Sequence, residues 1–95
     1  MRAWSASPGS RSIPRIAAMG RQVLLVHGRD GARAAWLAEA LAGQGCRVAR
    51  FAAPREPDMD LIGDGIAAGR GAQVVVALGG GAAIDTGKAV AALIP

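Results

Sequence analysis

The residues best placed to do chemistry gather near the end of this 95-residue chain, in Gly79-Gly80-Gly81-Ala82-Ala83-Ile84-Asp85-Thr86-Gly87-Lys88. Three consecutive glycines follow the run Val74-Val75-Val76-Ala77-Leu78 and open into an alanine-rich stretch of helical composition. That order predicts a strand, a tight turn and a helix. Glycines at such a turn let backbone N–H groups approach a ligand with no Cβ in the way, beside the positive end of the helix dipole. The chemistry this favours is the holding of a diphosphate with hardly any side chains. The plainer reading is a βα turn that needs glycine only for positive φ. Three glycines at the end of a buried strand, with Asp85 and Lys88 beyond them, favour the ligand site. The stretch is not a Walker A loop, which would require glycine in place of Ala82 and Ser or Thr in place of Ala89.

Other reactive types are sparse. His27 is the sole histidine, and one imidazole cannot make a catalytic metal site, which takes several protein ligands. It is read as a strand-end residue beside the ligand. Cys46 is the sole cysteine, which excludes an internal disulfide, fits a reducing, cytoplasmic compartment, and beside Val48 reads as a small core residue. Asp85 and Lys88, at i and i+3, share a helical face. They are either a surface pair contributing a few tenths of a kcal/mol or part of a ligand cleft.

The elements that must position these groups follow from the hydrophobic pattern. Val23-Leu24-Leu25-Val26, ended by His27-Gly28, is a short continuous apolar run of the kind covered on both faces in a parallel sheet. Asp30 can cap the next helix, whose apolar positions are Ala32, Ala35, Trp36, Ala38, Leu41 and Ala42, up to a stop at Gly43 to Gly45. Val48 to Ala52 reads as a second strand, completing a βαβ unit. The turn Pro54-Arg55-Glu56-Pro57-Asp58 must leave the sheet. Asp58 and Asp60 favour a helix N-terminus, with Met59, Ile62 and Ile66 as the expected buried stripe and Gly69 and Gly71 as the stop. Val74 to Leu78 is the third strand, and the last helix is expected over Ile84 to Leu93. The order βαβαβα implies a mostly parallel sheet with helices on both faces, and ligands of such sheets sit at the carboxyl ends of the strands. Three loops should therefore converge on one edge: His27 to Gly31, Ala53 to Pro57, and Gly79 to Ala82.

The run from Gly79 to Lys88 resembles the Gly-Gly-Gly-Ser-x-x-Asp-x-x-Lys signature of the iron-containing alcohol dehydrogenases, relatives of glycerol dehydrogenase and dehydroquinate synthase. The departure is Ala82, where the family usually has Ser; losing that hydroxyl removes one hydrogen bond to a diphosphate, about 1 kcal/mol, and leaves the backbone donors in place. The resemblance covers roughly residues 9 to 95, with the lead-in segment from Gly9 to Gly20 matching a glycine turn and short helix before the first strand. It implies a Rossmann-like, three-layer α/β domain that is incomplete here, over residues 23–95, preceded by an arm and lead-in segment over residues 1–22. Residues 1 to 8 of that arm stay undetermined.

The resemblance also implies a cofactor, NAD or NADP, bound by Gly28, Arg29, Gly79, Gly80, Gly81, Ala82, Asp85 and Lys88. In the family the first loop meets the adenosine ribose, and an acid after the first strand commonly selects NAD. Gly28 stands in that place with Arg29 next, so NADP is tolerated: an acid would repel a 2'-phosphate, whereas Arg29 could pair with it. Asp30 is close enough to cloud the choice, and Arg29 as a plain solvated loop residue stays open. Asp85 and Lys88 would line the nicotinamide side. Family members hold Fe2+ or Zn2+ by one Asp and several His in a helical second domain. A chain with one histidine cannot contain that site, so the expectation is the amino-terminal portion of such an enzyme, inactive alone, whose partner is the missing C-terminal metal-binding domain. A free-standing nucleotide- or phosphate-binding module, and a truncated product without function, remain as alternatives.

Composition narrows the remaining classes. The chain is 52% hydrophobic with 14 glycines, which makes it globular rather than disordered. The net charge of +4 comes from Arg2, Arg11, Arg15 and Arg21, because seven basic and seven acidic residues balance from Val23 onward. Scattered arginines with Trp4 as the sole aromatic among them do not make a nucleic-acid motif, so no nucleic-acid partner is expected. Asp85 and Lys88 interrupt the longest apolar run, so no membrane span is expected either. Self-association into a homo-oligomer is left open.

Overall fold

A computed structural model describes residues 3–6 and 9–95. Its elements are β1 (Ala3–Ala6), a 3-10 turn (Ser10–Ser12), α1 (Ile13–Met19), β2 (Gln22–His27), α2 (Gly31–Gly43), β3 (Arg47–Ala52), α3 (Met59–Ala68), β4 (Val74–Leu78) and α4 (Gly81–Leu93). The four strands form one parallel sheet in the order β1-β4-β2-β3. This is the expected α/β fold, Rossmann-like and open, with one strand more than the sequence pattern indicated.

The central strands alternate between two cores, because successive side chains of a strand point to opposite faces. Val23 and Leu25 of β2 and Val74 and Val76 of β4 pack with Ile13, Ile16, Ala34, Leu37 and Leu41 of α1 and α2. Leu24, Val26 and Val75 pack on the other face with Leu61, Val90, Ala91 and Ile94, from α3, α4 and its end. Leu24, Leu25, Leu37 and Leu41 are fully buried, each contributing about 1.5–3 kcal/mol over an exposed position. Burial on both faces is why β2 and β4 show continuous apolar runs and no alternation.

Several details differ from the sequence reading. The buried stripe of α2 is Ala34, Leu37 and Leu41; Ala32 and Ala42 are exposed and Trp36 is 48% exposed. In α3 the residues that meet the core are Leu61 and Gly65, while Met59 is 78% exposed and Ile62 and Ile66 lie at the margin. Gly65 faces α4 closely: a Cβ there would come within 2.8 Å of Val90 Cγ2. The last helix starts at Gly81, not Ile84, because Gly80 carries the extended backbone of an N-cap (φ −84°, ψ −166°) and the next residue is already helical.

Residues 3 to 6, left undetermined by the sequence, pair in parallel with β4 from Ala3 opposite Val74 to Ala6 opposite Ala77. Trp4 packs against the α3/α4 core, over α4 at Gly87. A Cβ on Gly87 would sit 2.7 Å from Trp4 Cζ3, so this glycine makes room for the indole. The remaining residues of the 1 to 8 segment lie outside the described residues. Among the described residues no helix is long and apolar enough to cross a membrane.

Candidate functional site

Strand order fixes where a ligand can enter. The chain passes from β2 to β3 on one side and then returns to β4 on the other side of β2, so the order reverses between β2 and β4. The helices that follow these two strands leave on opposite faces, α2 with the α1 core and α4 with the α3 core. A crevice outside the carboxyl ends of two such strands is where open parallel sheets take ligands. The loops there are Gly28–Asp30 after β2 and Gly79–Gly80 after β4.

Local chemistry explains how these loops hold together. Gly28 N–H donates to the Leu78 carbonyl at 3.2 Å, stitching the start of one loop to the end of the neighbouring strand. Gly79 turns away with φ +136°, a conformation that L side chains rarely adopt. A Cβ there would also lie 3.3 Å from Gly28 N and 3.4 Å from the Ala83 Cβ. Gly79 is thus a glycine for backbone reasons. Gly80 and Gly81 are different: both are exposed, Gly80 has ordinary negative φ, and a Cβ on either would meet nothing within 4 Å.

The free space at these glycines lies over helix donors that no side chain satisfies. The first N–H groups of any α-helix lack intrahelical partners. In α2 the Asp30 side chain accepts from Arg33 N–H at 3.0 Å, and in α3 Asp58 accepts from Leu61 N–H at 2.7 Å. The N-cap of α4 is Gly80 and offers no side chain. The Asp58 carboxyl is held below the ordinary carboxylate range, first by the Leu61 N–H bond and then by Arg55, which also forms an ion pair with it at 3.4 Å.

The structure brings Gly28, Arg29, Gly79, Gly80, Gly81 and Ala82 to one edge. Ala53 joins from the third loop, its N–H donating to the His27 carbonyl at 2.7 Å. His27 is half-buried, with Nδ1 2.9 Å from the Gly28 carbonyl oxygen. Asp85 and Lys88 are exposed on α4 and form no ion pair; among the described residues the ion pair is Arg55–Asp58. Lys88 lies on the flank of α4 toward Trp4, lining with it, Ala91 and Ala92 a cavity of about 270 Å³. At about 1.5 Å of rise per residue, Lys88 is some two turns beyond Gly81, so a ligand touching both must run along the helix. A second cavity, of about 190 Å³, lies at the opposite, amino-terminal edge between Arg47 and Arg70.

Two features were missed in the sequence. Thr86 is fully buried with no hydrogen-bond partner for its hydroxyl among the described residues, although its type gave no sign of burial. Arg50 sends Nη2 to the Gly31 carbonyl at 3.3 Å, at the edge of the candidate site. The signal available for Arg50 was its place between Val48 and Ala52, two residues from each and so on the same face of the strand. Cys46 is free and buried, as a small core residue should be.

A parallel α/β sheet with a glycine-rich turn at its reversal point defines a Rossmann-like class of architecture. Within it, residues 9–95 match the iron-containing alcohol dehydrogenase family, and the chain belongs to that family. Comparison with curated proteins and with solved structures gives no match to the chain.

Proposed function

We propose that this chain is the dinucleotide-binding portion of a metal-dependent, alcohol dehydrogenase-like oxidoreductase, and that NAD or NADP lies across the carboxyl edge between β2 and β4. The observation that carries this reading is the uncapped N-terminus of α4 beneath the open faces of Gly80 and Gly81. Backbone N–H groups from Gly80 onward hold the diphosphate, and Gly79, pinned against Gly28, sets the direction in which they point. Gly28 and Arg29 receive the adenosine ribose. Asp85 and Lys88, farther along α4, serve the nicotinamide half. The cofactor, when bound, supplies hydride exchange with an alcohol or carbonyl carbon.

The residues present do not fit the family's metal. The chain has one histidine, and no group of three or more His, Cys, Asp or Glu side chains among the described residues could hold an ion. The metal ligands therefore belong to a partner domain, and the chain by itself binds without turning over. This same observation favours a second reading, a nucleotide-binding module without catalysis, in which the glycine turn keeps its role. A cytoplasmic location agrees with the single free thiol.

Titration of the chain with NADPH and NADH by nicotinamide fluorescence tests the reading. Both should bind saturably, NADPH at least as tightly, and Gly28→Asp should move the preference toward NADH by repelling the 2'-phosphate. An affinity ratio unchanged by Gly28→Asp would remove the ribose from this loop.

A further inference from the structure

Arg50 stands on β3 opposite Leu25 of β2, two residues before the strand ends at Ala52. Val48 packs into the core under α2 and Phe51 into the core on the other face, so alternation puts Arg50 on the α2 face. From there its side chain runs to the carboxyl edge, where Nη2 donates to the Gly31 carbonyl at 3.3 Å. That contact uses one of the several donors of the guanidinium and, among the described residues, leaves its charge without an ion-pair partner. Arg29, on the loop that leads to Gly31, is exposed and likewise makes no ion pair among the described residues. The loop's one acid, Asp30, is engaged at the start of α2 through Arg33 N–H. Beside them, a Cβ at Gly28 would meet only open space.

We propose that Arg50 is a specificity-determining residue that acts with Arg29 to select a dinucleotide bearing a phosphate monoester on its adenosine ribose, NADP over NAD. The inference rests on the cofactor reading above and names the residue that sets its choice. A guanidinium is always charged, and its planar fork matches phosphate oxygens in pairs. Held by the Gly31 carbonyl, Arg50 is already placed at the loop, so less side-chain freedom is lost when a phosphate arrives. NADH, lacking the phosphate, gains nothing from it.

The test compares the wild-type chain with Arg50→Gln and Arg50→Lys, measuring NADPH and NADH affinities by fluorescence titration, competition by adenosine 2',5'-bisphosphate, and thermal melting on the same samples. Arg50→Gln should weaken NADPH at least about tenfold, the loss of one charge-assisted contact, and leave NADH within about twofold. Arg50→Lys should fall between, and the bisphosphate should compete less well against Arg50→Gln than against wild type. Binding of both dinucleotides with an unchanged ratio would overturn the role of Arg50 while leaving the cofactor site standing. A parallel loss of both, with a lowered melting temperature, would overturn it too by making Arg50 a structural residue. Binding of neither dinucleotide to the wild type would overturn the cofactor reading itself, and this inference with it.

Discussion

Gly79 and Gly80 are adjacent glycines with opposite duties, and exchanging each for a larger residue should separate folding from binding. At Gly80, φ is −84° and a Cβ meets nothing within 4 Å, so Gly80→Val fits the existing backbone. Its cost is the poorer N-cap, about 1 kcal/mol or less. For a domain of this size that lowers Tm by about 4–8 °C. The branched side chain then fills the space over the α4 donors, and NADPH affinity should fall at least about tenfold, equal to about 1.4 kcal/mol. At Gly79, φ is +136° and a Cβ lies 3.3 Å from Gly28 N, so Gly79→Ala carries backbone strain of about 1–3 kcal/mol before the contact is counted. A middle value of about 2 kcal/mol lowers Tm by about 8–16 °C. Melting followed by circular dichroism and NADPH titration on the same preparations give both quantities. A folded Gly80→Val protein that binds NADPH within twofold of wild type would contradict a ligand role for Gly80, because the glycine would then serve the turn alone.

Other consequences follow from single contacts. Gly87→Ala places a methyl group 2.7 Å from the Trp4 ring, so it should cost about 1–3 kcal/mol and shift tryptophan emission to the red as the indole leaves α4; an unshifted spectrum would contradict the packing of β1. Asp58 has its native pKa depressed, chiefly by the Leu61 N–H bond, so its stabilisation is present above the ordinary carboxylate value and is lost as pH falls through the lower native value. Asp58→Ala should accordingly melt below wild type at pH 7 and converge with it in strong acid, whereas a constant gap down to that range would contradict the cap. Addition of Fe(II) or Zn(II) to the purified chain should give no alcohol- or aldehyde-dependent NAD(P)H change, since the ligand set is missing from its residues; metal-stimulated turnover above a buffer control would contradict that.

What the sequence made legible depended on how one-sided each signal was. Val74 to Leu78 is buried at every position, so its continuous apolar run marks the strand to the residue. Asp30 and Asp58 announced their caps because their side chains compete for the first helical N–H groups, and both do so. The alanine-rich helix α2 was harder: with alanine on several faces, the stripe through Ala34, Leu37 and Leu41 could not be told from one through Trp36. In α3, Gly65 is buried because Val90 and Phe51 close over it, a tertiary contact that a hydrophobicity pattern does not register. Strand β1 was invisible for a similar reason, since Ala3 to Ala6 has no apolar run and gains its conformation from pairing with β4. In the candidate site the glycine turn was legible, but its division of labour was not. That Gly79 carries the strained φ and Gly80 the open face follows from how β4 leads into α4. Arg50 escaped notice because the reach of its side chain is set by the register of β3 on β2.

In the proposed cofactor site, backbone donors at the start of α4 hold a dinucleotide diphosphate. The most direct test of this is a titration of the 15N-labelled chain with NADPH, following each backbone amide by NMR. Saturable shifts are expected to concentrate at Gly80, Gly81 and Ala82, with smaller ones at Gly28 and Arg29 across the crevice. Unmoved glycine amides at saturating NADPH, or shifts confined to the opposite edge around Arg47 and Arg70, would contradict that role of the α4 donors.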